Sequence, residues 1–488
     1  MNFVKFIFVF ILSFSLFSCS PTIKETKKVE STPVLWPDYI GVTIPNNIAP
    51  MNFSTINFDS IQFIDVKVVL PNNEEFYFSG DNYIDFPFDK WTDILQKSKG
   101  QNIELYVSEV INNIKYVYNP FSIFIANYEI DPFLCYRLIS PGYQIYSKMG
   151  IYCRNLTNFE QNAVVENKLI NSNCINCHSF CKGNTDLSTF HIRGDLGSTV
   201  LKNNDNLTIC NAKTEKYKLN CVYPYWHPSG NFIAYSQNNT VQSFHCSDEN
   251  RVEVFDMESR VVVYDIQDNK LISSPLFDCD TTFTSEPSFS PDGKYLYFIS
   301  TDTLNMLRKT TEPIYDICRI EFNSESKTFG NSVDTLVKAS LDSCSAAFPR
   351  PSYDGKYLLY TKCDYGQFAI WHTEADLWLL NLETNQTYPL SKANSNNVES
   401  YHSWSTNSHW IVFESRRDDG FYTRAYIAYI DDNGQAQKAF VVPQQNPEHN
   451  RNLMYSYNVP EFATSEFKID KAILENKLKN GEKLQFGY

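Results

Sequence analysis

Cys174-Ile175-Asn176-Cys177-His178 sets two thiols two residues apart and an imidazole directly after the second. Thiols at that spacing can each form a thioether with one of the two vinyl groups of a haem. The histidine that follows then lies under the iron, where a ring nitrogen can act as axial ligand. C-x-x-C-H is therefore the attachment signature of a c-type haem, and Cys174, Cys177 and His178 are the first cofactor-binding candidates. Arg193 joins them, because a guanidinium can take a haem propionate in a bidentate contact. His191, in Phe190-His191-Ile192-Arg193-Gly194, is the nearest candidate for a second iron ligand beside His178. Met149, His227 and His245 are the others. A histidine in the sixth position gives a low potential and a methionine a higher one.

The same residues have other uses. Cys174, Cys177, His178 and Cys181 offer thiolates and imidazole for zinc within eight residues. Adjacent Cys177 and His178 rarely both reach one tetrahedral ion, so that set is cramped. A disulfide between Cys174 and Cys177 is a third use. Elsewhere the chain has no Gly-x-Ser-x-Gly, no His-Glu-x-x-His and no phosphate loop. Glu414-Ser-Arg-Arg-Asp-Asp-Gly420 and Tyr429-Ile-Asp-Asp-Asn-Gly434 are acidic turns of hairpin character. A single C-x-x-C-H argues against a multihaem conduit and a two-haem peroxidase.

The amino terminus bears on where such chemistry would occur. Residues 1–18 carry Lys5 and a run of Phe, Ile, Val and Leu, short for a membrane span and fitting a signal-peptide core. Leu16-Phe17-Ser18-Cys19 at its end resembles the lipobox of bacterial lipoproteins, and the resemblance makes Cys19 the lipidated first residue of the mature chain. Residues 19–34 are then a polar tether. Export to the cell envelope suits covalent haem attachment and permits disulfides, for example Cys210 with Cys221.

A chain of 488 residues exceeds one ordinary core. Thirty-one Tyr and 36 Phe in short apolar runs favour β structure. A net charge of −14 argues against a nucleic-acid partner. Phe63–Leu70 and the run from Ile103 alternate like strands facing one core, and the segment from Trp91 predicts a short helix, so 35–165 is expected to be a β-rich, sandwich-like module.

Four segments in the carboxy-terminal half match one another: Trp226–Ser236, Phe289–Phe298, Pro351–Tyr360 and Trp404–Phe413. Each has a turn at Gly230, Gly293, Gly355 or Ser408, followed by an aromatic and aliphatic strand. Pro224, Pro287 and Pro349 stand six residues before the first three turns. Repeating β units of this kind mean a propeller or a solenoid. The wording Ser-Pro-Asp-Gly-Lys-aromatic-Leu-aromatic-Phe closely resembles the blade motif of TolB-like propellers, which implies a propeller over 210–465 with five or six blades, some degenerate.

The expected protein is mainly β: a signal peptide (1–18), a tether (19–34), a β-rich module (35–165), a short haem segment (166–209), a propeller (210–465) and a tail (466–488). Its expected function is one-electron transfer by a lipid-anchored monohaem c-type protein of the envelope. The propeller would dock an envelope redox partner or another envelope protein. Two alternatives stand beside it. One is a TolB-like binding or scaffold protein whose C-x-x-C-H is structural, held by zinc or a disulfide. The other is a haem-dependent oxidoreductase with its substrate in the propeller channel.

Overall fold

The computed structural model describes residues 23–140, 148–247, 250–303 and 313–488. The signal-peptide core and Cys19 lie outside the described residues. Among the described residues no helix is long and apolar enough to cross a membrane.

The chain is mainly β. Its first part is a seven-stranded sheet built around Gln101–Ile111, which pairs antiparallel with Phe63–Val69, Ile114–Val117 and Phe121–Ile125. Ile64, Val66 and Val68 alternate with more exposed residues, so one face of this sheet carries the core. Helix α1 (Phe88–Lys97) buries Trp91, Ile94 and Leu95, a spacing of three and one that keeps them on one helical face. The Trp91 indole donates to the Ile48 carbonyl at 3.1 Å, which satisfies its only polar atom. The expected sandwich is thus one sheet with a helix. Its core continues into Trp410, Phe413 and Ile427 of a later sheet.

The rest of the described chain is a ring of antiparallel sheets. Six strands form its inner wall, here β1 (Ile175–Cys181), β2 (Cys221–Trp226), β3 (Thr282–Phe289), β4 (Ser345–Pro351), β5 (Glu399–Trp404) and β6 (Ser456–Ala463). Each is the first or last strand of a sheet of four or five. Consecutive inner strands touch, and β6 touches β1, so the circle is complete. Closure is made by β6 from the carboxy-terminal end pairing with Phe133–Ile139 from the amino-terminal side. Residues 133–165, expected in the first module, therefore belong to three strands of a ring sheet, the third ending at Glu166. Residues 166–209, expected as a short insert, contain β1 and the two strands that follow it in another.

The six inner strands share a backbone device. Each has a register shift against its neighbour, and in each the residue at the shift has positive φ: Cys177 (54°), Tyr223 (49°), Glu286 (52°), Phe348 (54°), Tyr401 (43°) and Val459 (51°). These are β-bulges that bend the strand and re-aim its side chains. A left-handed non-glycine residue costs about 1–3 kcal/mol and persists where its surroundings enforce it. Buried carboxyl groups help here. Glu286 accepts from the Phe348 N–H at 2.6 Å, and Glu414 accepts from the Val459 N–H. The residue after each bulge is His178, Pro224, Pro287, Pro349, His402 or Pro460. Proline fits a place that makes no ladder bond.

The tail folds onto the ring. Helix α2 (Lys471–Asn480) begins at Asp470, whose side chain accepts from the Ile473 N–H, and it buries Leu474 and Leu478. Leu484–Gln485 then adds a parallel strand beside Asn206–Asn211. Phe486 stacks on Tyr264 with ring centroids 3.8 Å apart.

Candidate functional site

The bulges turn the strands so that Cys177, Tyr223, Phe348, Tyr401 and Val459 all line one cavity of about 460 Å³ inside the ring. That volume lies in the range of small-molecule sites. Arg137, Arg193, Lys213 and Arg350 line it too, and among the described residues Glu461 is its one lining carboxyl group. Burial raises the Glu461 pKa to about 8, against a bond from the Phe180 N–H and the field of Arg350. At neutral pH this carboxyl is mostly uncharged. The cavity therefore carries unopposed positive charge in a chain whose net charge is −14. Among the described residues none of the four cations forms an ion pair. Arg137 donates to the Ile175 carbonyl at 3.3 Å while its Nε has no partner. Arg350 donates to the Pro349 carbonyl at 3.0 Å. When the Asn176 amide oxygen faces Arg193, it lies 3.0 Å from Nε and 3.3 Å from Nη2.

His178 is the most unusual group on this wall. It is 2 % exposed and neither ring nitrogen has a hydrogen-bond partner. A backbone group of Cys135 faces the ring outside hydrogen-bond geometry. Burial lowers the His178 pKa to about 4, so the imidazole is neutral at ordinary pH. A buried neutral imidazole with a free nitrogen is a ready metal ligand. Cys177 lines the same cavity, with its thiol pKa raised by burial. A straight strand would send neighbours 177 and 178 to opposite faces, and the bulge brings both to the cavity.

The other candidates fall elsewhere. Cys174 precedes β1, is half-buried and does not line the cavity. Its carbonyl accepts from the Arg193 N–H at 2.9 Å. His191 sits on the neighbouring strand Asn184–Ile192, with Nδ1 3.4 Å from the Thr199 hydroxyl and Nε2 unpartnered. It does not line the cavity with His178. Met149 is buried and does not line the cavity. His227 is bound to Ser229 and to the Gly293 carbonyl, and His245 to Glu253. Cys174, Cys177, Cys210 and Cys221 are all free thiols. Among the described residues no group of three His, Cys, Asp or Glu is placed to hold a metal ion.

The fit to a covalent haem is therefore incomplete. Cys177, His178 and Arg193 share the cavity, but the second thiol does not. Cys177, His178 and Arg193 are legible in the sequence, whereas Arg137, Arg350, Tyr223, Tyr401 and Glu461 are not, because they come from four different sheets. The prolines after the bulges were the available signal, since they mark four of the six inner strands.

No family model matches the chain. None of the curated proteins matches it. Among solved structures it is similar to TolB from Acinetobacter baumannii, at 12% identity over 73% of this chain and 78% of that one, with a TM-score of 0.44. It is similar to an oligogalacturonate lyase from Vibrio parahaemolyticus at 12% identity, over 62% of this chain and 92% of that one, with a TM-score of 0.34. It is also similar to the β-propeller domain of the Trilobed protease from Pyrococcus furiosus at 9% identity, over 70% and 82%, with a TM-score of 0.34. At these identities and scores no residue role passes from those proteins to this chain.

Proposed function

We propose that the protein is a binding propeller of the bacterial cell envelope. In this reading the six sheets are its blades, and the axial cavity takes an anionic ligand that bears an aromatic or apolar ring. The observation that carries it is the cavity's lining: Arg137, Arg193, Lys213 and Arg350 beside Tyr223, Phe348 and Tyr401, with Glu461 held neutral. Cations with aromatic walls favour a ring that carries a carboxylate, sulfonate or phosphate. The C-x-x-C-H is structural here, as the bulge of an inner strand. Envelope placement and the lipid anchor rest on residues 1–19. The test is titration with the fluorescent anion 8-anilino-1-naphthalenesulfonate. Binding should saturate at one site per chain and weaken as salt rises. Salt-independent or non-saturating binding would remove the reading.

A second reading is supported by one observation, the two unpartnered nitrogens of buried His178. In it, a haem is held by Cys177 and His178 with Arg193 at a propionate. Cys174 would have to turn inward to complete the attachment, and the haem would serve one-electron transfer with an envelope partner. Expression with haem-attachment machinery, followed by haem staining of a denaturing gel, decides it. A stained band lost in Cys177→Ser supports the haem, and no band removes it.

A further inference from the structure

Where the sheets of the second, third and fourth inner strands meet, a set of buried polar atoms has no partners. Asp256 and Glu286 are both fully buried, and each uses one carboxylate oxygen. Asp256 Oδ1 accepts from the Asn238 amide at 2.8 Å, and Glu286 Oε2 accepts from the Phe348 N–H at 2.6 Å. The remaining oxygens, Asp256 Oδ2 and Glu286 Oε1, have no partner. The Asn238 amide oxygen, the Tyr315 hydroxyl and both amide atoms of Gln367 are also unpartnered. Tyr315 is 0 % exposed and Gln367 is 1 % exposed. Both face Asp256 without reaching hydrogen-bond geometry, and Asp256 and Glu286 feel each other's field.

Buried polar atoms in a folded protein are satisfied by protein, water or an ion. Here the unpartnered atoms are nearly all acceptors, and two of the groups are carboxyls that repel each other when charged. A cation satisfies the oxygen atoms of the set together, and the Gln367 amide nitrogen, a donor, lies outside that shell. The set contains no imidazole and no thiolate, which disfavours zinc. Hard oxygen donors in an irregular cage suit calcium, which takes six to eight oxygens, rather than magnesium, which keeps several waters. Two carboxylates are fewer than a conventional acidic cluster contains, so neutral oxygens and water must complete the shell. Asn238 also lines the axial cavity, which gives an ion a route in.

We propose that Asp256, Glu286, Asn238, Tyr315 and Gln367 hold a calcium ion that ties the three sheets together. The full mature chain, stripped with EDTA, is titrated with terbium and calcium. Tyrosine-sensitised terbium luminescence should saturate at one ion per chain and be displaced by calcium. About 1 mM calcium should raise the melting temperature by several degrees. Asp256→Asn should weaken binding about tenfold or more. Gln367→Met removes no existing hydrogen bond, so it should melt like the wild type in EDTA and yet lose most of the calcium shift. A wild type that shows neither luminescence nor a shift would overturn the proposal and leave water in the cage. So would a Gln367→Met or Asp256→Asn protein that binds calcium as the wild type does.

Discussion

His178 and His402 stand at the same place in two inner strands, one residue after a left-handed bulge, and differ in their partners. His402 Nε2 lies 2.7 Å from the Phe348 carbonyl and 3.1 Å from the Leu359 carbonyl. Neither nitrogen of His178 has a partner. The other four inner strands have proline there. One imidazole therefore joins two strands, and the other contributes no hydrogen bond to the fold.

Replacement by proline separates the two roles. His178→Pro should melt within a few degrees of the wild type, because the backbone there makes no ladder bond and proline occurs at the equivalent places. His402→Pro should lose about 1–2 kcal/mol through the vacated carbonyls. Urea unfolding of both variants is the check. A larger loss in His178→Pro would mean that its ring holds a group the fold requires.

Cys177 should tolerate glycine and reject valine. At φ 54° a β-branched side chain is strained, so Cys177→Val should cost about 1–3 kcal/mol, whereas Cys177→Gly should be close to neutral. Denaturation midpoints measure both.

Much of the ring is visible in the sequence, and two parts are hidden for physical reasons. Gly230, Gly293 and Gly355 all adopt positive φ in hairpin turns after an inner strand, and Ser408 does so at 64°. That shared requirement makes the four repeats legible. The sheet begun by β1 escapes notice because its turn, Lys182-Gly183, is one residue nearer the bulge and His178 replaces the proline. The closing sheet escapes because β6 pairs with Phe133–Ile139, which lies before the repeats begin. The cavity's chemistry was the least legible. Glu286 and Glu414 look like surface charges in the sequence, yet both are buried and accept from the N–H of a bulged residue.

Glu461 also gives the protein a pH dependence. Its folded pKa of about 8 lies above its ordinary 4.5. Its contribution is full below pH 4.5 and is lost as pH rises through 8, because the unfolded chain gives up the proton first. Glu461→Gln keeps an acceptor for the Phe180 N–H and should flatten the fall in stability between pH 5 and 8. His178 acts in the opposite sense. Its folded pKa of about 4 is below the ordinary 6.5, so its contribution is present above 6.5 and is lost as pH falls through 4. Stability profiles of the wild type, Glu461→Gln and His178→Leu should show each slope removed separately.

The tail is part of the folded ring. Phe486 is 2 % exposed and stacked on Tyr264, so Phe486→Ala should destabilise the protein by about 3 kcal/mol. Thermal unfolding checks this, with Tyr488→Ala, at a more exposed position, as the control that should change little.

The cationic axial cavity is tested most directly by titrating wild type, Arg193→Gln and Arg350→Gln with 8-anilino-1-naphthalenesulfonate and with its uncharged relative N-phenyl-1-naphthylamine. One saturable site for the anion, weakened about tenfold in each variant, with weak binding of the neutral compound unchanged by either, is the expected result. Equal binding of both compounds, or anion binding that neither substitution alters, would contradict it.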